Sequence, residues 1–204
     1  IRPSRGLGDV YKRQVNTDIE ELIEGKHPAQ KSLIKEELIA HMLCAGILKN
    51  ELEGRTGPSM ENESEEENHF LDTLPFDLTN AQKRSWEEIR NDLTDVKPMR
   101  RLLQGDVGSG KTLIAALSTL HSHSNNWQTA FLCPTEILAE QHFNSFQAWF
   151  NELGLKTELL TGSTKAKDRK LIVKELALGE IDILIGTHAI FQSGVEFKRL
   201  GLTI

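Results

Sequence analysis

The octet Gly105-Asp106-Val107-Gly108-Ser109-Gly110-Lys111-Thr112 constrains this chain more than any other stretch. It reads GxxxxGKT, follows a short apolar run at 99–104 and precedes a helix-forming run at 113–120, which is the context of a phosphate-binding loop between a strand and a helix. A polyphosphate has to be met by converging backbone N–H groups, and glycines let the backbone turn and approach closely enough to present them. Lys111 then adds a point charge for the outer phosphates, and the Thr112 hydroxyl adds a ligand for Mg²⁺. The helix that opens at Gly110 turns the positive end of its dipole to the same place. A chance match to the four fixed positions is expected in roughly one in a hundred chains of this length. The bland alternative is a glycine-rich turn with a solvated lysine.

Composition narrows the setting. The 204 residues suffice for one good-sized domain with an appendage, or for two small ones. No apolar run approaches the length needed to cross a bilayer, and the first residues lack the apolar core of a secretory signal, so a cytoplasmic protein is expected. Cys44 and Cys133 lie far apart and outside any CxxC pattern, which argues against a zinc site or disulfide framework and predicts two buried thiols. The formal net charge of −6 disfavours a broadly basic nucleic-acid-binding face. Much of the acid is gathered at 61–67, however, and a protein that tracks a strand needs only a local basic or N–H-lined groove.

Residues 1–14 show neither helical nor strand periodicity and read as a non-native or unstructured leader, outside the fold argument. Ile34, Leu38, Met42, Ala45 and Leu48 recur at helical spacing, predicting an amphipathic, core-facing helix over 31–49 within a helical segment 15–53. The polar, acidic stretch 54–68 reads as a loop or disordered linker, making 54–70 the expected module boundary and 71–204 the main domain. Thr79 followed three residues later by Gln82 is a capping box opening a helix to about residue 93. Gln82 has a second reading, since a glutamine upstream of a phosphate loop can address adenine through its paired donor and acceptor.

Beyond the loop, strand-like segments at 99–104, 128–133, 156–160 and 181–185 alternate with helix-like segments at 111–123, 135–153 and 164–178. The pattern predicts an α/β fold whose parallel sheet is covered by helices on both faces. Ligands of such sheets bind at the carboxyl ends of the strands, where the phosphate loop, Pro134-Thr135, Thr161-Gly162 and Gly186-Thr187-His188 all fall. Thr135 is a good N-cap, and a row of helix N-termini along one sheet edge would contact nucleic-acid phosphates without reading sequence. Each of these short motifs could equally be an ordinary cap or turn. The basic cluster Lys165, Lys167, Arg169 and Lys170 reads as a solvated face. Residues 200–204 have the makings of a further strand, and no Asp-Glu pair follows to hold Mg²⁺ and position an attacking water, so the expectation is nucleotide binding with poor or no hydrolysis.

Taken together, PMRRLLQ running into GDVGSGKT, then PTEILAEQH, LLTGS and IDILIGTHAIFQSGVEF followed by LGL, resemble the first motor domain of the RecG-type ATP-dependent DNA helicases, superfamily 2 translocases that remodel branched DNA. The resemblance covers roughly residue 15 to the end, with LPFDLTNAQ resembling the family's Q-motif region and KSLIKEELIAHML its connection from the DNA-binding wedge domain. It implies a truncated RecA-like P-loop NTPase fold preceded by a helical linker, with ATP and Mg²⁺ as cofactors. It also implies forked or branched duplex DNA as partner and a monomeric parent. Residue by residue, the resemblance implies adenine recognition by Gln82 with Phe76 as neighbour, phosphate binding by Gly108, Gly110 and Lys111, Mg²⁺ coordination by Thr112, and DNA-strand contacts from Pro134, Thr135, Thr161, Gly162, Gly186, Thr187 and His188. The family's acidic Walker B pair, second motor domain and most of the wedge domain are absent from these residues, so the piece alone is expected to be inactive. Two alternatives stay open: the similar motor of a transcription-repair coupling translocase, which Gln104, Ser109 and Glu136 disfavour, and a nucleotide-binding or interaction module without motor function.

Overall fold

The computed structural model describes residues 23–62 and 65–204; the expected leader 1–14 and the start of the helical segment lie outside the described residues. The chain divides into two compact units, Ile1–Arg55 and Thr56–Ile204.

The first unit holds helix α1 (Pro28–Glu53), which covers the helix expected over 31–49. Its apolar side chains are not core-facing: Leu33, Leu38, Met42 and Ile47 are all exposed. Cys44 is exposed as well, against the expectation of a buried thiol, whereas Cys133 is buried in the second unit. The physical reason is that a stripe buries only against a partner, and among the described residues of this unit there is no second element to supply one.

The second unit is a four-stranded parallel sheet in the order β2-β3-β1-β4, with β1 (Gln128–Leu132), β2 (Thr157–Leu160), β3 (Ile183–Gly186) and β4 (Leu200–Thr203). The helices are α2 (Glu65–Thr73), α3 (Asn80–Thr94), α4 (Lys111–Ser124), α5 (Glu136–Phe150) and α6 (Ala166–Leu178). Strand side chains alternate between two cores. Phe131, Ile183, Ile185 and Leu202 pack with α2 to α5, while Leu160 and Leu184 pack with α6 and with the 3-10 turn His188–Phe191. Helices therefore cover both faces, as the near-continuous apolar strands predict. On the first face Phe146 meets Phe131 and Phe150 edge-on, at ring centroid distances of 5.1 and 5.2 Å.

Two findings depart from the sequence reading. The stretch 56–73 is not a free loop where it is described. Met60 and Phe70 are fully buried, Met60 N–H donates to Leu93 O at 3.0 Å, and the Asn125 side chain brackets the Asn62 backbone at 2.9 and 3.2 Å. His121 Nε2 lies 3.0 Å from Met60 O and Nδ1 2.8 Å from Glu67 Oε1, both side chains buried. One carboxylate of the acidic run is thus inside, paired with an imidazole as buried charge requires. Sequence periodicity misses this because the partner lies more than fifty residues away.

The second departure concerns 99–104, which is not a strand. Met99 and Leu103 line a cavity of about 530 Å³ together with Leu202 and Ile204, and the backbone of the segment joins no ladder. Arg101 ties the segment to α3 instead, with Nε donating to Asp92 at 2.8 Å and Nη1 to Glu88 at 2.6 Å. Apolar character alone cannot distinguish a paired strand from an extended segment lying along a helix.

Candidate functional site

The octet closes into a compact loop whose shape its glycines dictate. Gly108 and Gly110 have φ of +79° and +85°, a region that side chains with a Cβ rarely enter. A Cβ on Gly105 would lie 2.6 Å from Ser109 Oγ, and one on Gly110 would run into Gln82 Nε2. Ser109 N–H donates to Asp106 O at 3.1 Å, forming the turn. Gly110 is the N-cap of α4 with no side-chain cap; its carbonyl accepts from Leu113 and Ile114 N–H at 3.0 and 3.3 Å, which leaves the N–H groups of Lys111 and Thr112, in the first turn, without an intrahelical acceptor. Lys111 Nζ donates to Gly105 O at 2.8 Å and to Asp106 O at 2.7 Å. Its ammonium is thereby held across the loop mouth on neutral carbonyls, which an anionic oxygen would outbid. Val107 is fully exposed at the tip, and Thr112, next to Lys111, lines the wall of the cavity beneath.

Helix α3 delivers Gln82 to this loop. Thr79 is the N-cap, its Oγ1 accepts from Gln82 N–H at 3.2 Å, and Gln82 Oε1 accepts from Thr79 N–H at 2.8 Å, so the capping box forms. The same side chain turns Nε2 to Ser109 O at 2.9 Å. Cap and loop are thus fastened by one amide, and one N–H and one lone pair remain for another partner. Phe76, four residues before the helix, is exposed.

The other expected site residues gather at the carboxyl ends of β1, β3 and β2, which are adjacent in the sheet. Thr135 caps α5, accepting from Leu138 N–H at 3.4 Å. Pro134, Thr135, Gly162 and His188 are exposed. Thr161, Gly186 and Thr187 are buried and form the floor of the row. Gly186 has a packing reason to be glycine, since a Cβ there would run into the Leu160 carbonyl of the neighbouring strand. The Thr187 hydroxyl is buried with no hydrogen-bond partner among the described residues.

Three residues carry weight that the sequence did not announce. Glu136 reaches from the start of α5 to Ser163, accepting from its N–H at 3.2 Å and its hydroxyl at 2.8 Å. Arg101 anchors the segment leading into the phosphate loop. Gln128 is buried at the start of β1; its Nε2 donates to Leu176 O at 3.0 Å and Ile181 O at 2.7 Å, while its Oε1 accepts from Arg199 N–H at 2.8 Å. A polar residue opening an otherwise apolar strand was the one available hint.

A family model for the DEAD/DEAH box helicases matches residues 79–204, well over half of the chain. The chain is 45% identical over 195 residues to the ATP-dependent DNA helicase RecG of Haemophilus influenzae, which covers 96% of this chain and 28% of that protein. It is 44% identical over 176 residues to the RecG of Thermotoga maritima, covering 86% of this chain and 23% of that protein. A solved structure of RecG bound to a three-way DNA junction superposes with a TM-score of 0.78 at 38% identity, covering all of this chain and 29% of the other. The chain thus spans under a third of the length of these relatives. A phosphate loop opening α4, strand ends gathered beside it, and a family match running through both lead to one statement: the chain belongs to the DEAD/DEAH box helicase family.

Proposed function

We propose that this chain is the ATP-binding part of an ATP-dependent DNA helicase or translocase of the RecG type, acting on forked or branched DNA in the cytoplasm, with residues 71–204 as its first RecA-like motor domain and the intact protein a monomer. The carrying observation is the loop itself: two left-handed glycines and an uncapped helix N-terminus converge beside a lysine held only by carbonyls. These residues fit a nucleoside triphosphate. Backbone N–H groups of Gly108, Gly110, Lys111 and Thr112 and the Lys111 side chain would hold the β- and γ-phosphates, the Thr112 hydroxyl would hold Mg²⁺, and the remaining hydrogen-bonding capacity of Gln82 suits adenine, with Phe76 beside it. Bound Mg·ATP supplies the cleavable phosphoanhydride, and the protein's part is electrostatic positioning. The exposed row Pro134, Thr135, Gly162 and His188 supports strand contact through phosphates, with Thr161, Gly186 and Thr187 shaping it from below.

Calorimetric titration of ATP into this chain, with and without Mg²⁺, tests the reading directly; weak, Mg²⁺-dependent binding that Lys111→Ala abolishes is expected. In a protein of the relatives' full length, Lys111→Ala should remove DNA-stimulated ATP hydrolysis while the fold persists. Turnover retained in that variant would refute the assignment of Lys111.

A further inference from the structure

We infer that Glu136 is a positioning residue that joins the β1-end and β2-end loops into one rigid strip for nucleic-acid phosphates; this rests on the strand-end reading above. Glu136 is the first residue of α5, directly after the N-cap Thr135. Its carboxylate links the loop that follows β1 to the loop that follows β2, strands that flank β3 in the sheet. There it takes two charge-assisted bonds from Ser163, the N–H at 3.2 Å and the hydroxyl at 2.8 Å.

The consequence runs through the whole loop. The Ser163 hydroxyl donates its hydrogen bond to the carboxylate, so the Thr161 hydroxyl, 2.9 Å away, is the donor to Ser163 Oγ. Thr161 N–H in turn donates to Thr164 Oγ1 at 2.9 Å, and Thr164 N–H to Thr161 O at 3.4 Å. Hydroxyls that could have turned outward are thereby directed inward, toward one negative charge. What the loop offers to solvent is the exposed backbone at Gly162, where a Cβ would lie 3.1 Å from Glu136 Oε1. Glycine is therefore suited to two roles here: it admits the carboxylate on one side and a close phosphate on the other. A carboxylate beside a phosphate-binding row would ordinarily repel; with its oxygens occupied by Ser163, its role is to hold the Gly162 backbone at a set distance from the N–H groups of α5.

The test is anisotropy titration of a labelled single-stranded oligonucleotide into the chain and its variants, with thermal unfolding to check that each is folded. Glu136→Ala should weaken binding about three- to tenfold. Glu136→Gln should restore it to within about twofold, because the amide can still accept from Ser163 N–H and donate to Ser163 Oγ. Ser163→Ala, which removes one of the two bonds, should fall between them and carries the test if Glu136→Ala does not fold. Thr135→Asp keeps an N-cap but sets a negative charge on the row, so it should lose binding if the row contacts phosphates. Loss in Thr135→Asp with unchanged or tighter binding in both Glu136→Ala and Ser163→Ala overturns the positioning role. Unchanged binding in Thr135→Asp overturns the strand-end reading itself, and the inference with it.

Discussion

The phosphate loop and the strand-end row lie at the same rim of the sheet but are built by opposite means. The loop is specified within eight consecutive residues: two positive-φ glycines, a turn from Asp106 to Ser109, and a lysine folded onto its own backbone. Among the described residues its one side-chain hydrogen bond from outside is the Gln82 amide. The row is assembled from three segments separated by tens of residues, and its parts stay together through sheet pairing and side chains such as Glu136. A locally built site survives as long as its backbone does, whereas a site assembled from distant segments depends on every link among them.

Gln128→Ala should do the most damage to the assembled side. It strips buried partners from Leu176 O, Ile181 O and Arg199 N–H, and about 3 kcal/mol of stability should go, read from the midpoint of urea unfolding. An unchanged midpoint would mean that the sheet does not need this link. On the local side, Gly110→Ala forces a Cβ into the left-handed region and against Gln82 Nε2; the backbone strain is about 1–2 kcal/mol and ATP affinity should fall at least about tenfold by calorimetry. Gln82→Ala sharpens the contrast, because it cuts the one fastening between loop and α3: about 1 kcal/mol of cap stability is lost and ATP binding weakens severalfold. Full ATP affinity in that variant would show the loop to be self-sufficient.

The smallest effect is in pH dependence. Burial by itself would raise the Asp182 carboxyl, but hydrogen bonds from His123 and from Lys156 N–H outweigh it and hold the group below its ordinary value. A lowered folded value means stability that is fully present above the ordinary aspartate range, near pH 4, and is lost as pH falls through the lowered value. Asp182→Asn should therefore flatten the acid limb of the stability profile below about pH 4, because the variant lacks the stabilisation the carboxylate gives at neutral pH and converges on the parent at the acid end. An acid limb as steep as the parent's would remove Asp182 from the link between β2 and β3.

Much of the second unit was legible in the residues. The four strands of the sheet, the capping box at Thr79 and Gln82, the N-cap at Thr135 and the loop before α4 all follow from short-range pattern. The reading failed where a partner decided the outcome. The segment 99–104 has strand composition, yet it joins no sheet and is held by Arg101 to α3. The acidic stretch before α3 looked solvated, yet Glu67 is inside against His121.

By itself the sequence determined the backbone shape of the loop 105–112, because φ preferences and glycine spacing act between neighbours and need no tertiary partner. It also determined that the sheet is parallel and covered on both faces, because apolar strands alternating with helices bury themselves in few ways. Only the tertiary structure decided which polar side chains are spent inside and which remain for a ligand. Gln82, Gln128 and Glu136 each carry a side-chain oxygen that can accept a hydrogen bond; their roles separate only when folding brings Ser109 to the first, Leu176, Ile181 and Arg199 to the second, and Ser163 to the third.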